Sequence, residues 1–460
     1  MKLLALMLSL SFLVLIHEGG HFFFARLFKT RVEKFYLFFN PWFSIVRAKR
    51  YNGKWHFSFF SPKSPEEFAK YPDNTEWGIG WLPFGGYCSI AGMIDENNTD
   101  GSKLSAVEQP WEYRSKKAWQ RLLIISGGVL VNFIGALCIY SAIIFTWGTE
   151  TLPLKNVPYG YDYNQTAQKY GFKNGDYVLS IDGKDMYELK DVINTLLLDG
   201  GKQIKVLRNN DTTTFALPDG FAKEMVGAGE KQFAMPRFPF VIGDFANNSL
   251  GKQAGLRVGD SLVAINGQQT TSFSEFKAKL SRYVNADVVI SYYRNNILDS
   301  LKIHLGKDGL IGAAPKNFLA DVKTEHHSYG FFASIPKGIS YGVETLVSYV
   351  KQFKIVFSKE GASQLGGFGT IGSLFPESWD WFRFWSMTAF LSIILAFMNI
   401  LPIPALDGGH IVFTLWEMIT GRKPSDKFLE RAQMVGMILL FALLIYANGN
   451  DIFRWLTGKL

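Results

Sequence analysis

The sequence predicts a polytopic α-helical membrane protein with four transmembrane helices and a repeated soluble insertion between the second and the third. Three observations predict this fold class. The chain of 460 residues is 48% hydrophobic and only 19% charged, whereas charged residues make up about a quarter of an average soluble protein. The apolar residues are concentrated in a few long stretches, and the middle of the chain repeats itself. So apolar a composition excludes intrinsic disorder.

Several stretches are long and apolar enough to cross a membrane, since a spanning helix needs roughly 18 apolar residues. Those without any Asp, Glu, Lys or Arg are residues 122–148, 384–406 and 432–450. A further stretch, residues 3–24, is interrupted by only two histidines and one glutamate. It lacks the small-residue cleavage site of a signal peptide, and we interpret it as a retained first helix. The predicted spans lie at about residues 3–28, 120–148, 382–416 and 430–450.

The basic residues predict the orientation of these spans. They cluster in residues 26–50, 114–121 and 422–431, whereas only Lys2 precedes the first span. The positive-inside rule then places both inter-helix segments in the cytoplasm, and both chain ends and the long middle segment outside. This distribution accounts for much of the net charge of +8. We therefore expect a lipid bilayer, and no nucleic acid, as the partner of the basic residues.

The cysteine content excludes two further classes of protein. Cys88 and Cys138 are the two cysteines of the chain. So few thiols rule out a disulfide-stapled scaffold and a structural zinc site built from cysteines.

The middle of the chain contains two related segments. Residues 170–183 align with residues 254–267 at an offset of 84, and Arg208-Asn-Asn recurs as Arg294-Asn-Asn. Alternating strands and polar turns fit two tandem α+β domains. The shared Gly-Asp and Ile-Asp/Asn-Gly signature resembles that of PDZ domains, which capture extended peptides at a sheet edge. They would either bind peptide ligands or act as steric shields. The two tandem PDZ-like domains are expected at residues 151–235 and 236–328.

A helical pattern follows the repeats. Within residues 329–360 apolar residues recur at spacings of four and three, which predicts an amphipathic helix. We expect it to lie on the outer membrane face or against the repeats, or to be an ordinary packing helix. The remaining chain forms two membrane halves, residues 1–150 and 361–460.

The first span carries a metal-binding pattern, His17-Glu18-Gly19-Gly20-His21. Residues four apart share one face of a helix, so both imidazoles can reach one ion. Imidazole suits zinc, and Glu18 can accept a proton from metal-bound water. The alternative is a pair of buried histidines bonded to backbone carbonyls. It fits poorly, because ionisable groups at membrane depth are costly and usually mark function.

A catalytic zinc requires a third protein ligand. The third span offers two candidates, Asp407 and His410, close to Pro402 and Pro404. Two prolines break a membrane helix and free its carbonyls, which is tolerated around a polar cavity. A buried Asp407 would be an uncompensated charge unless it met a cation. We therefore favour Asp407 and keep His410 as the alternative.

Together, these motifs resemble those of the site-2 protease family of intramembrane zinc metalloproteases. His-Glu-x-x-His in the first span and Asn-x-x-Pro-x-Pro-x-Leu-Asp-Gly, which begins at Asn399, match the two ligand motifs of the family. The PDZ-like repeats narrow the likeness to the bacterial regulator of sigma-E protease type. Residues 81–87 are similar to the family's membrane-associated β-loop, expected at about residues 79–92. Gly128-x-x-x-Asn132 matches a motif of the second span.

The resemblance implies a zinc metalloendopeptidase that cleaves the transmembrane segment of single-pass membrane proteins after their outer domain has been removed. Such substrates include anti-sigma factors and remnant signal peptides. It also implies a bacterial inner membrane, with the PDZ-like domains outside and the active site open to the cytoplasm. His17, His21 and Asp407 would hold Zn²⁺, and Glu18 would be catalytic. The implied substrate-binding residues are Gly85, Gly86, Tyr87, Asn399, Pro402 and Pro404.

The sequence departs from the family pattern at a few positions. Gly19 stands in place of a larger residue and Val129 in place of a proline, and residues 366–372 only loosely resemble a family segment. A pair of glycines weakens a helix by about 2 kcal/mol relative to alanine. We expect close helix packing at that face to compensate.

Two other functions compete with proteolysis. A catalytically inactive membrane scaffold would bind peptides through the PDZ-like pair alone. A metal transporter would need ionisable groups along several spans, and the charge-free stretches of spans two and four offer none.

Overall fold

The computed structural model describes residues 1–83, 85–93, 108–228, 232–356 and 366–456. These residues form two compact units. The first combines Met1–Gly148 with Ser328–Leu460, and the second is Thr149–His327. Parts of the predicted segments lie outside the described residues, namely residue 84 of the β-loop, residues 94–107 of the first membrane half, residues 229–231 of the first repeat, residues 357–360 of the amphipathic helix, and residues 361–365 and 457–460 of the second membrane half.

The long apolar helices belong to the first unit, and most of the strands belong to the second. The helices are α1 (Lys2–Leu27), α2 (Glu66–Ala69), α3 (Ala118–Trp147), α4 (Gln165–Lys169), α5 (Leu189–Leu197), α6 (Phe221–Gly227), α7 (Leu250–Gln253), α8 (Phe273–Leu280), α9 (Phe331–Val356), α10 (Phe368–Ser373), α11 (Trp381–Ile400), α12 (Asp407–Thr420) and α13 (Asp426–Leu456). The strands of the first unit are β1 (Val32–Leu37), β2 (Phe39–Tyr51), β3 (Lys54–Ser61), β4 (Glu76–Leu82) and β5 (Tyr87–Ile90). Those of the second unit are β6 (Thr149–Thr151), β7 (Tyr161–Tyr163), β8 (Tyr177–Ile181), β9 (Lys184–Asp185), β10 (Gln203–Arg208), β11 (Asp211–Ala216), β12 (Ala234–Pro236), β13 (Phe240–Phe245), β14 (Ser261–Ile265), β15 (Gln268–Gln269), β16 (Asp287–Arg294), β17 (Ile297–His304), β18 (Ala313–Pro315) and β19 (Glu325–His327).

Four helices in the described part of the chain are long and apolar enough to cross a membrane, which confirms the predicted number there. They are α1, α3, α11 and all but the first residue of α13. The predicted third span, residues 382–416, is divided, because α11 ends at Ile400 and α12 begins at Asp407. Pro402 and Pro404 between them lack the N–H groups that a continuing helix would need.

Helix α3 lies at the centre of the first unit, where it contacts α1, α9, α11 and α12. Buried hydroxyl groups link neighbouring helices. Ser392 of α11 donates to the carbonyl of Asn132 on α3 (2.7 Å), and Thr388 of α11 donates to the hydroxyl of Ser9 on α1 (3.0 Å). Such bonds contribute about 1 kcal/mol or less each between membrane helices. They link α1, α3 and α11 to one another.

The predicted amphipathic helix is α9, and it packs along α3 and α11. The rings of Tyr341 and Tyr140 lie 4.9 Å apart, and those of Phe353 and Phe397 lie 5.2 Å apart. A side chain on Gly338 would clash with Ser141 of α3. The structure therefore places α9 among the membrane helices, as an ordinary packing helix.

A five-stranded sheet follows α1 in the order β3-β2-β4-β1-β5. Strand β1 pairs in parallel with β4 and antiparallel with β5. The predicted β-loop, residues 79–92, contains the end of β4 and all of β5, which therefore lie on opposite sides of β1. Among the described strands, β5 lies at an edge of this sheet, and three of its residues, Tyr87, Cys88 and Ile90, line the candidate site.

The second unit contains the two repeats, and each repeat closes with the same ion pair. Asp176 is the aspartate of the Gly-Asp turn in the first repeat and binds Arg208 (2.7 Å), and Asp260 of the second repeat binds Arg294 in the same way (2.7 Å). Both carboxylates are fully buried. The repeated Gly-Asp and Arg-Asn-Asn sequences thus tie a turn to the end of a strand in each module.

Two effects oppose each other at the Asp260 carboxyl group. Burial raises its pKa, but the hydrogen bond from Arg294, a backbone N–H of Arg257 and the two guanidinium charges bring the pKa below its usual value. Because the folded-state pKa is lowered, this carboxylate stabilises the fold above about pH 4, its unfolded pKa. The contribution is lost as the pH falls through the lowered value.

Replacing Arg294 with Met should lower the free energy of unfolding by about 3 kcal/mol, because the buried Asp260 carboxylate then lacks its counter-ion. Denaturant unfolding of the full chain in detergent measures the loss, with Arg282→Met, at an exposed arginine, as the matched control. The difference from wild type should narrow below about pH 4, where protonation removes the charge. Equal stability of the two variants at pH 7 would contradict this role.

Candidate metal centre

Helix α1 and the start of α12 bring three ligand-type side chains together. His17 and His21, one turn apart on α1, place their Nε2 atoms 3.3 Å apart. The Oδ2 atom of Asp407 lies 3.3 Å from His17 Nε2 and 3.4 Å from His21 Nε2. The structure thus brings together the three predicted ligands, from positions far apart in the chain.

These separations fit a tetrahedral zinc ion. Zinc binds imidazole nitrogen and carboxylate oxygen at about 2.0–2.1 Å, so two ligands at the tetrahedral angle lie about 3.3–3.4 Å apart. Each of the three observed distances falls in this range. Asp407 Oδ2 is also buried and accepts no hydrogen bond in the described part of the chain. Three converging acceptor-type atoms with an unpartnered oxygen among them are the donor set that zinc requires.

A backbone carbonyl of α3 orients one imidazole. His21 Nδ1 lies 2.9 Å from the carbonyl oxygen of Ile124. A carbonyl can only accept, so Nδ1 carries the proton and the lone pair of Nε2 is directed at the centre. Such contacts behind a metal ligand fix its tautomer and raise its basicity.

Glycines of α3 make room for the two imidazoles. A Cβ atom on Gly128 would lie 2.5 Å from His21 Nε2 and 2.6 Å from His17 Cε1. One on Gly20 of α1 would lie 2.2 Å from the carbonyl oxygen of Gly127. The expected close packing at the glycine pair is therefore due to Gly20, whereas Gly19 has open space where a side chain would be.

The break between α11 and α12 delivers the carboxylate. Asp407 is the first residue of α12, directly after the turn that contains both prolines. The structure brings Asp407, and not His410, to the two imidazoles within the described residues. His410, one turn further along α12, lines the wall of the same cavity.

A cavity of about 150 Å³ surrounds the three ligands. Glu18 lines it beside them, and so do three of the predicted substrate-binding residues, Gly86, Tyr87 and Asn399. The other three, Gly85, Pro402 and Pro404, are not among the described residues of its wall. Gly85 packs on the ring of Phe39, and the two prolines shape the turn before Asp407.

Sequence reasoning missed one residue of this wall and the contact made by another buried residue nearby. Gln433 of α13 is buried and lines the cavity. The sequence feature that could have indicated this position is a glutamine in a stretch without charged residues. Asn132 is fully buried on α3, and its amide nitrogen lies 3.2 Å from His17 Nδ1. The family motif had marked this position without indicating what it contacts.

A comparison with known protein families identifies the chain. The model of peptidase family M50 matches residues 5–61 and 64–443. The chain belongs to peptidase family M50. It is a zinc metalloendopeptidase of the site-2 protease family, as the sequence motifs predicted.

Two similar proteins support the relationship along nearly the whole chain. The Regulator of sigma E protease of Haemophilus influenzae is 26% identical and is matched over 97% of both chains. Metalloprotease MmpA of Caulobacter vibrioides is 24% identical over 98% of this chain and 96% of its own.

The third ligand of this M50 peptidase can be tested by metal content. Asp407→Asn should lower zinc affinity by at least about tenfold, because an amide is a poor zinc ligand and leaves the ion's charge uncompensated. His410→Ala should retain zinc. Elemental analysis of purified, dialysed proteins measures both. Loss of zinc from His410→Ala, with full occupancy in Asp407→Asn, would reverse the assignment.

The close packing of Gly128 against the imidazoles can be tested with two alanine substitutions, one at Gly128 on α3 and a control at Gly19 on α1. Gly128→Ala places a methyl group against both imidazoles and should weaken zinc binding about 10–100-fold, the range seen when ligand positions are disturbed. Gly19→Ala meets no atom within 4 Å and should leave zinc binding unchanged while favouring the helix by about 1 kcal/mol. Competition with a chromophoric chelator measures both affinities. If Gly128→Ala bound zinc as tightly as Gly19→Ala, close packing would not shape the site.

Proposed function

We propose that this M50 peptidase hydrolyses peptide bonds within the membrane, using zinc held by His17, His21 and Asp407. The observation that carries the proposal is the convergence of these three side chains at zinc-binding separations between helices that are apolar enough to span a bilayer. Zinc, when bound, would polarise the scissile carbonyl and lower the pKa of its water towards about 7.

Glu18 supplies the proton transfers in this proposal. It adjoins the first ligand on α1 and lines the same cavity. A carboxylate there can accept a proton from the attacking water and pass it to the leaving amine. Asn399 lines the cavity as well, with its amide nitrogen 3.4 Å from His17 Nε2. It is suited to orient a substrate carbonyl by donating a hydrogen bond.

A substrate must enter this site as an extended chain. The carbonyls of a transmembrane helix are already hydrogen-bonded, and unwinding leaves them without partners inside the bilayer. Among the strands that the structure describes, β5 lies at the edge of its sheet, and Tyr87 and Cys88 of β5 line the cavity. A substrate segment paired with this edge would regain its backbone hydrogen bonds beside the ligands.

The substrates we propose are single-pass membrane proteins whose outer domain has been removed, including anti-sigma factors and remnant signal peptides. The proposal rests on the family resemblance and on the Regulator of sigma E protease among the relatives. The two modules of the second unit, with repeated turns and ion pairs, would be PDZ-like domains that exclude uncut substrates. The basic segments favour a bacterial inner membrane orientation with these domains outside and the active site open to the cytoplasm.

Glu18→Gln should abolish cleavage of a model transmembrane substrate, with a loss of about 10²–10⁴-fold in kcat, because the amide cannot accept the proton. Zinc content should stay stoichiometric, since the ligands are untouched. Glu344→Gln, at an exposed residue of α9, is the control and should cleave at the wild-type rate. Undiminished turnover by the Glu18→Gln protein would exclude hydrolysis at this site.

A further inference from the structure

The imidazole of His17 also has a neighbour on the side that points away from the candidate metal centre. His17 Nδ1 faces the side-chain amide of Asn132, with Nδ2 3.2 Å away. Asn132 is fully buried, and its side-chain oxygen has no hydrogen-bond partner in the described part of the chain. A buried amide oxygen without a donor is unfavourable.

The amide orientation decides which nitrogen of His17 can bind a metal. If Nδ2 donates to His17 Nδ1, then the proton of a neutral imidazole lies on Nε2. Nε2 is the atom that faces Asp407 Oδ2 at 3.3 Å and His21 Nε2 at 3.3 Å. A protonated Nε2 has no lone pair to offer a cation at that position.

Rotating the amide by half a turn gives the oxygen a donor and leaves Nε2 of His17 unprotonated, and the NH₂ group then takes the position where the oxygen had no donor. The two ends of an asparagine amide have nearly the same shape, so their assignment follows from the hydrogen bonds they make. After the rotation, the oxygen accepts the Nδ1 proton of His17 and is no longer without a donor. The lone pair of Nε2 is then free, as it is in His21, whose Nδ1 is bonded to the carbonyl of Ile124.

We propose that Asn132 is a positioning residue whose side-chain oxygen holds the Nδ1 proton of His17 and thereby keeps Nε2 as a metal ligand. The proposal rests on the metal centre described under the proposed function. Both imidazoles are then held from behind by an oxygen of the same helix, α3. The position of Asn132 is itself secured, because its backbone carbonyl accepts from Ser392 (2.7 Å).

The test compares zinc affinities of the full chain in detergent, measured by competition with a chromophoric chelator. Asn132→Leu removes the acceptor at similar volume and should weaken zinc binding about 10–100-fold, the usual effect of losing a partner behind a ligand. Asn132→Asp keeps an oxygen acceptor but cannot donate, and should bind zinc at least as tightly as wild type. Ser392→Ala, which loosens the packing at Asn132 without removing its side-chain oxygen, is the control and should stay within about threefold of wild type.

Two outcomes would overturn the proposal. Wild-type affinity in Asn132→Leu would show that the oxygen is dispensable, and weak binding in Asn132→Asp would show that Asn132 acts as a donor. The Asn132→Asp measurement stands alone if the leucine variant does not fold. A separate variant, His17→Ala, tests the metal centre independently of the role of Asn132. Zinc retained in His17→Ala would refute the metal centre, whereas zinc lost there but kept in Asn132→Leu would refute only the role of Asn132.

Discussion

The structure of the first unit depends on how a carboxylate is accommodated between membrane helices. Asp407 Oδ2 is buried, accepts no hydrogen bond in the described part of the chain and faces two imidazole nitrogens. Without a cation this arrangement would leave a charge uncompensated in a medium of low dielectric. A zinc ion held by these three side chains would compensate the charge at the observed separations, and it would also link α1 to the start of α12. The divided third span serves the same arrangement, because the break at Pro402 and Pro404 places Asp407 at the N-terminus of α12.

Helix α3 contributes no ligand, yet it determines the geometry of the site. Gly127 lets α1 approach to backbone contact, and Gly128 leaves room for the imidazoles. Ile124 and Asn132, on the same helix, face the outward nitrogens of the two rings. The Gly128-x-x-x-Asn132 motif of the second span therefore positions the two imidazoles. This role needs small residues for close packing and an amide for hydrogen bonding.

The two modules of the second unit share one stabilising interaction. Each module buries the aspartate of its Gly-Asp turn and compensates the charge with an arginine at the end of a strand. In both modules the arginine also donates to the carbonyl of a glycine in the preceding turn. The ion pairs link residues 32 and 34 positions apart, and each module also has its own buried hydrophobic core. The Gly-Asp and Arg-Asn-Asn sequences recur because they form this ion pair in both modules.

Sequence alone determined the features that depend on local order. The charge-free stretches predicted the spans because the bilayer demands about 20 apolar residues, and the i, i+4 spacing predicted two imidazoles on one face. Chemistry favoured Asp407, since a buried carboxylate needs a cation. Tertiary structure decided which glycine of the pair is packed, which loop residues reach the cavity, where α9 lies and what Asn132 contacts. These depend on distances between segments that are far apart in the chain, and such distances are set by helix packing rather than by any local pattern.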